Sequence, residues 1–482
     1  MIELENVSFA YAGEEPCIHG VDLRVAAGEC VVFIGRSGNG KTTLTRLING
    51  LAPYYYEGTL SGKLRIGGTD LAEIPQWERA KQIGCVFQDP RSQFFSAELA
   101  GEVAFGCENL GFSVQEIRDR TDGVIRTMGL DALRNTPLDR LSSGEKQKVA
   151  IASARAAGPR IFTFDEPTAN LDEESAGQLS ETLAELKRQG HTLVVAEHRL
   201  SWLMELADRF LYVDGGRLVR EFSPRELALL SAGEAARIGL RRPCKTEPPL
   251  LPAADCRTGA AAEARRVCCT VGRKTIFRDI DFSASPGEVV AVTGRNGTGK
   301  TTFAKILCGL RRESGGGVLF SGKRLPPGRR RERVFYSAND TNTQFFTPSV
   351  EEEVLLLLPR REKELERARE TLRRLGLYGY RTRHPATLSG GQKQRLSLAC
   401  GVLSGRELLI FDEPTSGLDG GNMRIISDML KQEAENGKTV LVITHDAELM
   451  EACCTHIFQM GATGRADNKA RRARQDRPRS PV

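Results

Sequence analysis

The sequence predicts an α/β protein of two tandem domains, each built on a mainly parallel sheet, and three observations lead there. The first is length, because 482 residues exceed what one core of ordinary size organises. The second is a repeat. "GRSGNGKTT" at 35–43 returns as "GRNGTGKTT" at 294–302, an offset of 259, while "LSSGEKQK" at 141 and "FDEPTANLD" at 164 return as "LSGGQKQR" at 388 and "FDEPTSGLD" at 411, each offset by 247. The third is periodicity. Short apolar runs of buried-strand type, "ECVVFIG", "IFTFDEP" and "TLVVAEH", are separated by helical segments such as "SAGQLSETLAELKRQG", and the second copy repeats the runs as "EVVAVTG", "LLIFDEP" and "TVLVITH".

Residues 1–230 form the first expected domain. Residues 231–258 mix Pro, Ala and both charges without a clear period, which reads as a linker. The second domain spans 259–462, and 463–482 form a basic tail with almost no apolar residues, expected to be disordered. That tail holds most of the net charge of +6: from 465 to 482, seven Lys and Arg stand against two Asp. The body is nearly neutral, so a general polyanion-binding surface is not indicated. No apolar run approaches the roughly eighteen residues of a membrane span. The opening "MIELENVSFAY" has no basic and apolar regions of a signal peptide, so a cytosolic chain is expected. Twelve scattered cysteines without a CxxC spacing argue against a zinc or iron–sulfur site.

Gly35, Gly40, Lys41 and Thr42, and again Gly294, Gly299, Lys300 and Thr301, satisfy G-x-x-x-x-G-K-[ST] between a strand and a helix. The glycines let backbone N–H groups wrap phosphates, the lysine neutralises β/γ oxygens, and Thr42 and Thr301 are placed to ligate Mg²⁺. Ser37, Gly38 and Thr43, with Asn296, Gly297 and Thr302, complete the two loops. Asp165 with Glu166, and Asp412 with Glu413, end apolar strands in paired carboxylates. One can hold Mg²⁺ through water while its neighbour polarises the attacking water. His198 and His445 each lie thirty-three positions past the strand-end aspartate.

These motifs, in this order and twice, resemble the ATP-binding cassette (ABC) ATPases over about residues 1–225 and 262–462. The resemblance implies P-loop ATPase domains with a helical subdomain in each, binding ATP with Mg²⁺. It makes Gly35–Thr43 and Gly294–Thr302 Walker A loops, Gln88 the Q-loop glutamine that senses Mg²⁺ and the γ-phosphate, and Asp165 and Asp412 the Walker B metal residues. Glu166 and Glu413 become catalytic bases, His198 and His445 switch histidines, 169–172 and 416–419 D-loops, and Tyr11 the aromatic that stacks on adenine. Ser142 and Gly144, with Ser389, Gly391 and Gln392, belong to the signature motifs. In this family two cassettes close head to tail, so each ATP lies between one Walker A and the other cassette's signature.

The copies are not equal. The position matching Gln88 is Asn339, the stretch matching Tyr11 is "VCCTVG", and the first signature carries Ser143 and Glu145 where Gly and Gln are usual. One complete and one altered site are expected. A second repeat, "QDPRSQFFS" at 88–96 and "NDTNTQFFT" at 339–347, places an aromatic pair in a polar loop of each half. It resembles the ATPases of energy-coupling-factor (ECF) transporters, in which the segment after the Q-loop docks coupling helices of a transmembrane scaffold. Gln93, Phe94 and Phe95, with Gln344, Phe345 and Phe346, are the expected docking residues.

The function this implies is the motor of an ECF-type importer on the cytoplasmic face of the membrane, serving a vitamin or a transition-metal ion. A scaffold and a separate substrate-binding membrane protein are the expected partners, and nucleic acid is not. The alternative is a soluble tandem ATPase acting on ribosomes or nucleic acid. Such proteins usually carry a long charged helical linker or a cysteine-rich iron–sulfur region, and neither is found here. A structural or DNA-repair ATPase would need inserted coiled coils or zinc modules.

Overall fold

The computed structural model describes residues 1–169, 171–254, 260–359 and 361–461; the tail expected at 463–482 lies outside the described residues. The chain divides into two compact units, one formed by Met1–Lys245 with Gly417–Gly421 and the other by the remainder.

The first unit has two sheets. A four-stranded antiparallel sheet comprises Ile18–Val25, Ile2–Tyr11, Gly58–Ile66 and Thr69–Asp70, in that order. A six-stranded sheet runs Arg217–Phe222, Arg209–Asp214, Cys30–Ile34, Thr192–Ala196, Ile161–Asp165, Ile83–Val86, with every neighbouring pair parallel except the first. Its strand Cys30–Ile34 is buried along its whole length, as its unbroken apolar run requires. The pleat divides that strand between two cores: Val31 and Phe33 join the cluster shared with the antiparallel sheet, while Cys30, Val32 and Ile34 join the cluster on the other face.

The second unit repeats the plan. Its antiparallel sheet is ordered Lys274–Ala284, Ala262–Val271, Gly315–Phe320, Lys323–Arg324. Its parallel sheet is ordered Val334–Ser337, Leu408–Asp412, Thr439–Ile443, Val289–Thr293, His456–Gln459. Each unit also has the helical subdomain that the family resemblance implies. In the first, helices Leu99–Asn109, Val114–Thr127 and Ser143–Ala156 contribute Val103, Cys107, Ile125 and Val149 to a separate core. Helices Val350–Leu355, Glu362–Arg374 and Gly390–Leu403 are their counterparts.

Within the linker read at 231–258, of which 255–258 lie outside the described residues, two stretches pack on the units. Ser231 caps a helix, Ala232–Arg237, whose Ala235 enters the first unit's core together with Leu240. Ala254 belongs to the second unit's core and donates its N–H to Ile457 O at 3.0 Å. A few apolar residues without a long period suffice here, because each meets a surface that is already apolar.

One buried cation recurs in both units with different partners. Arg330 is fully buried; its guanidinium donates to Glu313 at 2.7 Å and to Ile306 O at 2.7 Å, while its Nε donates to Leu325 O at 2.8 Å. Arg79 donates from Nε to Ile74 O at 2.6 Å and lays its guanidinium 3.8 Å from the centre of the Tyr54 ring. An ion pair in one unit thus stands where a cation–π contact stands in the other. Removing one partner of a buried pair leaves the other charge stranded, so Arg330→Met is expected to destabilise the second unit by about 3–5 kcal/mol. Urea unfolding reads this, and a loss under about 1 kcal/mol would show the pair to be dispensable.

Candidate functional site

Each glycine loop leaves the end of the buried strand with geometry that a side chain would forbid. Gly35 and Gly294 both sit at φ 141°, and a Cβ would come 2.3 Å from Val213 O in the first and 2.4 Å from Met460 O in the second. Gly40 and Gly299 then head the helices Lys41–Ile48 and Lys300–Leu307 in the left-handed region, with no side chain capping the first-turn N–H groups. Those amides suit a phosphate. Lys41 Nζ donates to Gly35 O and Arg36 O at 3.0 Å each, and Lys300 Nζ to Gly294 O at 2.6 Å and Arg295 O at 3.1 Å. Burial lowers the Lys41 pKa, and Glu166 opposes that shift most strongly.

The strand-end carboxylates meet these loops. Thr42 Oγ1 donates to Asp165 at 2.9 Å, and Thr301 Oγ1 to Asp412 at 2.7 Å. A hydroxyl and a carboxylate side by side beneath a phosphate loop are oxygen donors of the kind Mg²⁺ takes. Glu166 and Glu413 adopt φ 46° and 52°, a left-handed conformation that is uncommon and strained for a non-glycine residue. Glu166 N donates to Ala196 O and Glu413 N to Ile443 O, which fixes both backbones to the adjacent strand.

In the first unit the expected residues converge. Gln88 Nε2 donates to Glu166 at 2.8 Å. His198 Nε2 lies 3.3 Å from Glu166 Oε1, 3.3 Å from Lys41 Nζ and 3.4 Å from Ser37 Oγ. Burial, followed by the nearby Lys41 charge, pushes the His198 pKa well below its usual value, leaving a neutral imidazole. Burial raises the Asp165 and Glu166 pKa values. In the second unit His445 Nε2 is 3.8 Å from Glu413 Oε1, and Asn339 is exposed.

Tyr11 OH lies 3.1 Å from Thr43 Oγ1, beside the loop as an adenine-stacking ring would be. The last residue of the corresponding second-unit strand is Val271, so no aromatic stands there. The second unit has a difference of its own: Tyr336 OH donates to Asp412 at 3.3 Å, from a strand position that Cys85 occupies in the first. The signature residues Ser142 and Ser389 are N-caps of the helices Ser143–Ala156 and Gly390–Leu403, paired reciprocally with Glu145 and Gln392. Gly144 and Gly391 lie in the first turns of these helices. Glu145 adds a negative charge that Gln392 does not.

The docking residues separate into inward and outward sets. Gln93 is spent within the first unit, its Oε1 accepting from Phe87 N at 3.2 Å and its Nε2 donating to Cys85 O at 3.1 Å. Gln344 Nε2 donates to Ala338 O, and its Oε1 accepts from Ser397 Oγ. Phe94 packs against two of the first unit's cores. Phe95 and Phe346, 75% and 80% exposed, face outward. The Phe95 ring stacks on Phe105 with centroids 4.9 Å apart, while Phe345 and Phe346 flank a cavity of about 510 Å³ with Leu310, Leu356 and Leu357. Of the six residues expected to dock, one ring per unit therefore faces outward, with apolar residues beside it.

Sequence reasoning missed Glu197. It is 2% exposed, accepts from Thr168 Oγ1 and from His198 N, and burial raises its pKa to about 7. Only its replacement by Thr444 in the other copy marks it as unusual. A carboxyl whose pKa is higher in the folded chain stabilises that chain at low pH, and the contribution is lost as pH rises from its ordinary value of 4.5 through about 7. Glu197→Gln does not titrate, so its melting temperature relative to the parent is expected to rise by a few degrees between pH 5 and pH 8. A difference independent of pH would show that the carboxyl is not held protonated.

Comparison with known proteins places this geometry. The family model described as ABC transporter matches residues 18–169 and 277–416. A putative ABC transporter ATP-binding protein of Treponema denticola is 40% identical over 467 residues, 95% of each chain. A putative HMP/thiamine import ATP-binding protein, YkoD, of Bacillus subtilis is 30% identical over 496 residues, 97% of this chain and 91% of that one. Among solved structures, ribosome-bound archaeal Pelota and ABCE1 gives a TM-score of 0.67 at 21% identity, covering 94% of this chain and 76% of that one, a likeness of fold. No helix among the described residues is long and apolar enough to cross a membrane. With two Walker loops, each joined to its own strand-end aspartate, the chain belongs to the ABC transporter ATP-binding family and is an ATPase that works on ATP with Mg²⁺.

Proposed function

We propose that this ATPase is the motor of an ECF-type importer, bound at the cytoplasmic face of the membrane to a transmembrane scaffold. A separate membrane protein would capture a vitamin or a transition-metal ion. The observation that carries the reading is the pair Phe95 and Phe346, two outward rings at matching places just beyond the nucleotide-sensing loop. The Bacillus relative, a putative HMP/thiamine import ATP-binding protein, supports it. The likeness to the ribosome-bound protein, at 21% identity, concerns fold and gives no support to a ribosomal role.

In this reading the two units pair head to tail. Thr42 with Asp165, or Thr301 with Asp412, would hold a Mg²⁺ ion, which when bound would neutralise phosphate charge. The Gly35–Gly40 amides and Lys41 orient the phosphates. Glu166 Oε2, held by Gln88, is aimed to take a proton from the attacking water, and neutral His198 adds a polar contact without adding charge. The first Walker A loop would be completed by "LSGGQ", and the second, which has no counterpart of Gln88 or Tyr11, by "LSSGE".

Unequal turnover follows. Loss of a positioned base typically costs about 10² to 10⁴ fold. Glu166→Gln is expected to come close to abolishing steady-state hydrolysis by the assembled complex, with Glu413→Gln leaving a measurable remainder. Equal losses would count against the asymmetry.

Docking is tested separately. Phe95→Ala with Phe346→Ala is expected to weaken capture by the co-expressed scaffold by about 2 kcal/mol or more, with ATP binding and thermal unfolding near the parent's. Intact capture, or a parent chain that sediments with ribosomes instead of scaffold, would overturn the importer reading.

A further inference from the structure

The outward phenylalanines are held by two buried carboxylates that the catalytic chemistry does not use. Glu102, on the helix Leu99–Asn109, is 1% exposed, and its Oε2 accepts the N–H groups of Phe95 and Ser96 at 2.8 Å each. Glu353, on the helix Val350–Leu355, is 6% exposed, and its Oε2 accepts the N–H groups of Phe346 and Thr347 at 2.9 Å each and the Thr347 hydroxyl at 2.8 Å. The bonds run from each helix's first turn outward to the preceding loop, so they do not cap the helix that carries them.

Carboxylates are seldom buried without a partner that compensates their lost hydration. Here the compensation comes from consecutive backbone amides converging on a single oxygen, an arrangement that suits an anion. Two adjacent N–H groups aimed at one point fix the peptide planes on either side of the second phenylalanine, and with them the direction of its Cα–Cβ bond. The same clamp appears in both units, on the second ring of the pair each time, with Ser96 in one loop and Thr347 in the other. An exposed aromatic on an otherwise free loop would lose freedom on binding, and prior fixation removes that cost.

We propose that Glu102 and Glu353 are positioning residues that pose Phe95 and Phe346 for the partner; this rests on the reading of those rings as docking anchors. Both act through the loop, by the bonds to its amides. Glu102→Leu and Glu353→Leu keep bulk and remove the acceptor, whereas Glu102→Gln and Glu353→Gln keep one carbonyl oxygen in place.

Hydrogen–deuterium exchange on the intact chain reads the clamp without any partner. Phe95, Ser96, Phe346 and Thr347 amides are expected to exchange about tenfold faster in the leucine variants and close to the parent's rate in the glutamine variants. ATP binding should stay unchanged. Capture by the co-expressed scaffold should fall about tenfold with leucine and recover with glutamine. Should a leucine variant fail to fold, Glu102→Asp and Glu353→Asp, which withdraw the carboxylate by one methylene, carry the same expectation.

Unchanged exchange in the leucine variants would overturn the clamp. Faster exchange with undiminished capture would overturn the positioning role while leaving docking intact, provided the doubled Phe→Ala variant abolishes capture. If that doubled variant also captures scaffold normally, the docking reading falls and the positioning proposal falls with it.

Discussion

Everything in the site depends on one close approach: the backbone of Gly35 against the carbonyl of Val213, and of Gly294 against that of Met460. A strand buried on both faces cannot shift sideways, so the loop that leaves it must turn where the neighbouring strand ends. Only a residue without a Cβ passes there. That turn delivers Lys41 and Thr42 onto the axis of the following helix, and it brings Thr42 within hydrogen-bonding reach of Asp165 on a strand two places away in the sheet. The carboxylate needs no loop of its own. It ends a strand whose register is already fixed by its neighbours, from Ile161 opposite Thr192 to Asp165 opposite Ala196.

The fold and the Walker residues were legible because each leaves a local mark. Buried parallel strands read as unbroken apolar runs, and the glycine loops have fixed spacing. The rest required neighbours that are distant in the chain. Phe94 and Phe95 are the same residue type side by side, and which of them faces out is decided by how the helix Leu99–Asn109 packs, not by the loop's own composition. Arg330 was invisible because an arginine in sequence reads as surface, and its burial rests on Glu313 and two carbonyls brought together by folding. The helical subdomain came only from family resemblance, since its helices have no period that distinguishes them from the others. Within the linker, single apolar residues such as Ala235 and Ala254 find a core that no period in the sequence announces.

The two units share a scaffold and differ in what surrounds the same carboxylates. Glu166 is braced by Gln88 and approached by His198, whereas the second unit has exposed Asn339 and a longer histidine contact. Asp412 meanwhile accepts from both Thr301 and Tyr336, and the tyrosine shares an oxygen with the threonine. A hydroxyl donor at that oxygen competes with a cation for the same lone pairs. The differences lie in the polar groups around the phosphate loop, while five parallel strands keep the same order beneath it in both units.

The left-handed backbone at Glu166 and Glu413 bears on how such a protein can change over time. Holding a glutamate there costs about 1–3 kcal/mol, and a glycine would relieve it without disturbing the strand. At both positions the substitution that most simply stabilises the chain is therefore the one that removes its proposed base. Stability and turnover pull in opposite directions at a single φ angle. A unit released from hydrolysis has a downhill route away from glutamate, and the second unit, for all its other departures, has not taken it.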